Sequence, residues 1–282
     1  MIRKVENMVQ GFQTQDGAGV KLVRVLGNTT VKTYDPILML DSFDSHNPED
    51  YRAGFPMHPH RGIETISYIY KGKMSHKDSL GNEDTIENGE VQWMSAGSGI
   101  MHEESLPDSE RMLGVQLWLN LPRKDKFSAP KYKALKKEDI EEIPFEGGYL
   151  RLLAGNYQDH RGHQSDYLPL DFYDIHLEGG REITIDTEED RSIMLFTLLG
   201  QAQVEGQDIP EKTAVKLSSG QKVTIKGLDK ENYILFISSK SLEEPIFWGG
   251  PIVMNSEEEL EEAFMELRQG TFIKERADYE RS

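Results

Sequence analysis

The sequence predicts an all-β protein with two antiparallel barrel or sandwich blocks in tandem and one C-terminal helix. Three observations predict it. Short apolar or alternating runs recur from Val20 to about Leu121, broken by Gly, Asn, Asp and Pro. A second set of such runs covers about Tyr149 to Ser239. A helical period is seen only in the stretch after Asn255.

In the first block the strand candidates are 21–26, 63–70, 91–94 and 112–119. Leu113, Val115, Leu117 and Leu119 alternate with Gly114, Gln116, Trp118 and Asn120, the period of two that a pleated strand imposes. Turn signals stand at Lys71-Gly72-Lys73, Gly81-Asn82 and Asn88-Gly89. Residues 122–148 are rich in lysine and glutamate and are bracketed by Pro122, Pro130 and Pro144, so they read as a connector. The second block offers strands at 193–200, 201–204, 214–217, 222–225 and 233–237. Its turns at Leu199-Gly200-Gln201 and Ser219-Gly220-Gln221 echo Lys71-Gly72-Lys73 and Asn88-Gly89-Glu90, which suggests a duplicated barrel. In the tail, Ser256 and Glu259 make a capping box, and Leu260, Ala263, Phe264 and Leu267 form an apolar stripe. Gly270 then takes the C′ position. The expected boundaries are 1–121 for the first barrel, 122–148 for the connector, 149–240 for the second barrel and 241–282 for the tail with its helix.

Composition excludes several classes. The chain has 282 residues, 32 basic and 49 acidic, for a net charge of −17. Such a chain repels phosphate backbones, and no dense Lys/Arg run offsets this, so no direct nucleic-acid binding is expected. With no cysteine, disulfides, thiol nucleophiles and cysteine metal sites are excluded. No apolar stretch is long enough to span a bilayer, and the first twenty residues hold no secretory apolar core, so a cytoplasmic protein is expected.

The chemistry lies in two short motifs. His58-Pro59-His60 and His102-Glu103-Glu104 each place two ligand types at i and i+2. On a strand those positions share a face, so His58 with His60, and His102 with Glu104, can each aim at one point. Three imidazoles and a carboxylate suit a divalent transition metal and leave two octahedral positions open. A lone His-x-His reads as ordinary hydrogen-bonded histidines; two pairs in one predicted barrel are hard to explain as packing. Glu103 faces the other side by the same parity. His46, His76, His160, His163 and His176 read as surface or structural, and His176-x-Glu178 has no second pair to complete a shell. The second block is therefore expected to be metal-free. Trp93, Trp118, Met94 and Phe55 are candidates for a pocket wall, with plain barrel core as the simpler reading for the tryptophans. Gln116 and Asp41 are candidates to orient a histidine ligand.

A resemblance follows from longer motifs. Residues 55–65, Phe-Pro-Met-His-Pro-His-Arg-Gly-Ile-Glu-Thr, with Gly89-Glu90-Val91-Gln92-Trp93-Met94 running on to Ser98-Gly99-Ile100-Met101-His102, resemble the pirin family of the cupin superfamily. Gly250-Pro251-Ile252-Val253-Met254-Asn255 resembles that family's closing motif. The resemblance spans essentially the whole chain. It implies two cupin, jelly-roll-like barrels face to face, with a metal only in the N-terminal one, held by His58, His60, His102 and Glu104. Iron, as Fe(II), is the metal implied, although Mn, Ni, Cu or Zn suit the same donors. It also implies quercetin 2,3-dioxygenase chemistry, in which O2 opens a flavonol's heterocycle and carbon monoxide leaves. The alternative it carries is a metal-bearing regulatory protein that acts on a protein partner without turnover. The general cupin pattern puts its carboxylate four residues after the second histidine, which here is Glu64. Glu104 ranks first as ligand and base, Glu64 second as a nearby base, and Glu103 third.

Overall fold

The computed structural model describes residues 1–275 and is β-rich, with a cupin-type fold. The chain divides into two compact units. One is built on Met39–Lys136 and includes Gln13–Leu22 and the tail from Glu243. The other is built on Lys137–Leu242 and includes Met1–Phe12 and Val23–Leu38. Residues 1–12 and 243–275 are thus each incorporated in the unit remote from them in sequence. Among the described residues no helix is long and apolar enough to cross a membrane.

Two sheets form most of the unit built on 39–136. A seven-stranded sheet runs in the order Lys131–Leu135, Glu90–Ser95, Ile63–Lys71, Met112–Asn120, Ile37–Ser45, Val20–Leu26 and Phe12–Asp16. A four-stranded sheet runs Phe55–His60, Ile100–Ser105, Lys73–Asp78 and Glu83–Glu87. Every residue of Met112–Asn120 is buried, which explains why the positions alternating with Leu113, Val115, Leu117 and Leu119 carry Gln116 and Asn120 rather than charges. The expected turns form, with Gly72 and Gly89 at φ of 105° and 81°. Lys131–Leu135, inside the stretch read as a connector, is an edge strand paired to Glu90–Ser95. Its alternating lysines suit an edge but conceal it from an apolar-pattern reading.

The unit built on 137–242 repeats the plan with its own seven- and four-stranded sheets, consistent with the internal echo in the sequence. Its core holds Tyr173, Ile175, Leu177, Leu195, Val215, Ile225 and Phe236. The N-terminal strand Val5–Gln10 completes its large sheet by pairing with Thr213–Leu217. Arg3 anchors that strand. It is fully buried and donates to Thr187 Oγ1 at 2.8 Å, to the Ser218 carbonyl at 2.7 Å, and to the carbonyls of Arg191 and Glu188. Replacing it with methionine removes the donors and leaves those acceptors without them. Arg3→Met is expected to cost about 3 kcal/mol, read as a lower denaturant midpoint in chemical unfolding.

The tail lies in the unit that carries the histidine motifs. A hairpin of Phe247–Gly249 and Ile252–Met254 leads into the helix Glu257–Gln269. Ser256 Oγ accepts from the Glu259 amide at 3.1 Å, and Gly270 ends the helix in the left-handed region, as the sequence predicts. Ala263 is buried in a cluster with Ile252, Met254 and Phe272, and Leu260, Phe264 and Leu267 pack against it.

Candidate metal centre

The four-stranded sheet assembles the motifs. Ile100–Ser105 lies between Phe55–His60 and Lys73–Asp78, and His102 pairs with His58 on one side and Asp78 on the other. Because side chains alternate, His58, His60, His102, Glu104, His76 and Asp78 fall on one face. His60, His76, Asp78, His102 and Glu104 are buried, whereas His58 is part-exposed and marks the accessible edge.

The ring nitrogens are sorted by their partners. His58 Nδ1 lies 2.8 Å from the Pro56 carbonyl, and His60 Nδ1 lies 3.0 Å from the Pro251 carbonyl. A carbonyl only accepts, so both Nδ1 atoms carry the proton and both Nε2 atoms present lone pairs. Those Nε2 atoms face each other at 3.1 Å. Two lone pairs at that distance repel unless a cation joins them. Metal–nitrogen bonds of 2.0–2.1 Å put two cis donors about 3 Å apart.

His102 completes the set through a relay that sequence reading missed. Asp78 Oδ2 accepts from His76 Nε2 at 2.9 Å, leaving Nδ1 of a neutral His76 as an acceptor. His102 Nδ1 stands 3.4 Å from it and donates. His102 Nε2 is left buried with no hydrogen-bond partner among the described residues. A buried orphan nitrogen is costly in a protein without a ligand for it and natural in a metal site. His58, His60 and His102 can each offer a nitrogen to one ion, and Glu104 groups in the same way with His102 and His76. The residues therefore fit a divalent ion. His76 was read as structural because no histidine stands two residues away. The missed signal was the carboxylate at i+2, Asp78.

Burial favours the neutral form of His60 and His102. His60 is pushed down to about 3, first by burial and then by the neighbouring His58 ring. His102 is held well below the ordinary histidine range by burial and by His60, His58 and His76. The sign for stability follows. The unfolded chain takes up His60's proton near its ordinary value, while the folded metal-free protein resists doing so. That stability is present above about pH 6.5 and is lost as pH falls toward 3. Metal-free protein is expected to be about 2 kcal/mol less stable at pH 5 than at pH 7 from His60 alone. Denaturant unfolding at the two pH values checks this, and His60→Gln should flatten the difference.

Glu104 faces the seven-stranded sheet. Gln92 Nε2 donates to its Oε1 at 2.7 Å, and Gln116 Nε2 to its Oε2 at 3.0 Å. Both glutamines pair in register with Ser67, so Ser67, Gln92 and Gln116 share the face turned to the site. Thr65, Met94 and Trp118 make the next row on that face. The Trp118 ring meets the His60 ring edge-on at 4.9 Å, which makes Trp118 a wall of the site. Gln116 orients the carboxylate, not a histidine as expected from sequence.

Several other expectations are corrected by position. Glu64 lies in the alternate row with Trp93, on the opposite face of its strand, and accepts from Trp93 Nε1 at 3.0 Å. It does not join the cluster. Parity from His60 cannot reach it, because Arg61 and Gly62 carry the chain from one sheet to another and Gly62 has a φ of 77°. Trp93 turns away from the site with it. Phe55 packs on Phe43 at 6.2 Å within the core, and Asp41 is buried on Ile37–Ser45. Glu103 lines a groove with Lys77 and Thr85, to which His76 and Glu104 also contribute. In the other unit, His176 is buried between the Tyr149 and Tyr233 rings and bonded to Asp174 at 2.8 Å. His46 and His160 sit at the surface on Glu110 and Glu141.

Known proteins share this arrangement of sequence and fold. Residues 19–119 match the Pirin family profile, and residues 172–273 match that of the Pirin C-terminal cupin domain. A pirin-like protein of Caulobacter vibrioides is 37% identical over 276 residues, covering 96% of this chain and 99% of that one. Human pirin is 32% identical over 282 residues, covering 98% and 96%. A crystal structure of quercetin 2,3-dioxygenase from Acinetobacter baumannii superposes with a TM-score of 0.89 at 31% identity, covering 96% of this chain and 99% of that one. With near-complete coverage at this identity and both family profiles matched, the chain belongs to the pirin family.

Proposed function

We propose that this protein is a mononuclear, non-haem, metal-dependent dioxygenase that opens the heterocycle of a flavonol such as quercetin with O2 and releases carbon monoxide. One observation carries the reading. His58, His60 and His102 each bring a ring nitrogen to within reach of one ion, while their Nδ1 atoms are committed to other partners and His102 Nε2 is left without one. Nε2 of His58, His60 and His102, with an oxygen of Glu104, would hold the ion, and Fe(II) suits a nitrogen-rich set with one carboxylate. When bound, such an ion supplies Lewis acidity and a route for electrons to dioxygen.

The chain's own groups do the remainder. Glu104 is the carboxylate placed to take the enol proton of a bound flavonol at one of its oxygens. The Gln92 and Gln116 amides hold that carboxylate in one orientation. Trp118 and Met94 supply an apolar wall that excludes water beside His60. Part-exposed His58 marks the side from which a planar substrate enters. The likeness to quercetin 2,3-dioxygenase supports the substrate class.

The test is metal analysis of anaerobically purified protein, followed by oxygen uptake and carbon monoxide release with quercetin. Stoichiometric metal, with O2 consumed and CO formed in equal amounts, is the expected result. Metal-replete protein that leaves quercetin untouched would refute turnover and favour a metal-dependent regulatory protein. Glu104→Gln should retain the fold and lower turnover at least a hundredfold, the ordinary scale for a positioned base.

A further inference from the structure

The strand that carries His60 is fastened to the tail hairpin at three consecutive residues. His60 Nδ1 meets the Pro251 carbonyl at 3.0 Å. Arg61 bridges Ile252 in parallel, and the Val253 amide donates to the Arg61 carbonyl at 3.1 Å. Gly62 lies so close to Val253 that a Cβ there would come within 2.0 Å of its carbonyl oxygen. At this last point stands Lys126, a lysine only 1% exposed. Its Nζ donates to the Gly62 carbonyl at 2.8 Å, the Val253 carbonyl at 2.9 Å and Asn120 Oδ1 at 2.7 Å. Three donors meet three acceptors, so nothing on the ammonium is left over. A lysine is seldom buried so completely, because desolvation is costly unless its partners compensate. Two of its three partners are backbone carbonyls on the two segments that must stay in register for Pro251 to face His60.

We propose that Lys126 is a positioning residue of the metal centre: it clamps the Gly62 and Val253 carbonyls together, and so holds the Pro251 carbonyl on His60 Nδ1 and the His60 Nε2 lone pair on the ion. The inference rests on the metal-binding reading of the histidine cluster and goes beyond it, since it makes the tail hairpin part of the site. The same hairpin brings the Trp248 ring to 5.7 Å from Trp118, the ring that flanks His60. Lys126 touches neither ion nor substrate. It acts through two carbonyls and one imidazole tautomer.

Cobalt(II) is the probe, because its visible absorption reports ligand geometry without any turnover. Cobalt affinity, the cobalt absorption spectrum and the thermal midpoint are measured for the full chain and for two variants. Lys126→Met removes the clamp. Gly62→Ala keeps the lysine but breaks the clamp from the other side, because its Cβ would stand 2.0 Å from the Val253 carbonyl oxygen and 3.3 Å from Lys126 Nζ, which keeps the question answerable if Lys126→Met does not fold. Each is expected to lower cobalt affinity 10- to 100-fold, the usual loss when a ligand's partner is disturbed, and to alter the cobalt bands. A folded variant whose midpoint falls while its affinity and spectrum match wild type overturns the proposal, because Lys126 is then only structural. Wild-type protein that binds no cobalt at all overturns the metal reading instead, so the two failures are distinct.

Discussion

His102→Ala is expected to abolish stoichiometric metal binding, with affinity lowered on the order of a thousandfold or more. Disturbing a partner of a ligand costs 10- to 100-fold, and removing the ligand must exceed that. His102 is the central histidine of the cluster by position. Its strand is the middle one of the three that carry the cluster, and its ring lies 4.3 Å from that of His58 and 5.0 Å from that of His60. The relay behind it predicts a graded series. Asp78→Asn weakens the hold on His76, which then orients His102 less firmly, so affinity should fall 10- to 100-fold with all four proposed ligands still present. Titration with a competing chelator measures both variants. Full metal content in purified His102→Ala would exclude this histidine as a ligand and end the mononuclear reading.

Glu266→Ala is expected to destabilise the protein by about 3–5 kcal/mol, the range for removing one partner of a buried ion pair. Arg61 is 2% exposed, and its Nη2 lies 2.6 Å from Glu266 Oε2. The guanidinium also donates to the Ser98 and Phe272 carbonyls and stacks on the Phe272 ring at 4.2 Å. Without Glu266 a cation remains buried beside apolar rings with its main counter-charge gone. Chemical unfolding at neutral pH measures the loss. Arg61→Met combined with Glu266→Met should recover much of it, because the uncompensated charge, not the absent contact, carries most of the cost. A loss below about 1 kcal/mol for Glu266→Ala would place this pair with ordinary surface ion pairs.

Both predictions concern contacts between residues far apart in the chain, which is where the legibility of the sequence divides. The helix Glu257–Gln269 was readable to its caps because Ser256, Glu259 and Gly270 act within a few residues of one another. Strand parity was readable for the same reason. His58 with His60, and His102 with Glu104, share a face because the pleat repeats every two residues, and no partner strand is needed to know it. Glu64 marks the limit of that reasoning. It lies four residues after His60, yet the chain turns at Gly62 into a different sheet, so parity counted across the turn fails.

From the sequence alone came two β-rich blocks, a capped terminal helix and two pairs of ligand-type side chains, because these follow from local periodicity and short-range hydrogen bonding. Tertiary structure alone decided that Asp78 and His76 stand behind His102, that Gln92 and Gln116 hold Glu104, and that the hairpin of residues 247–254 folds onto the segment bearing His60. Those contacts depend on which strands become neighbours, and that choice is made by burying the apolar surface of a whole unit at once.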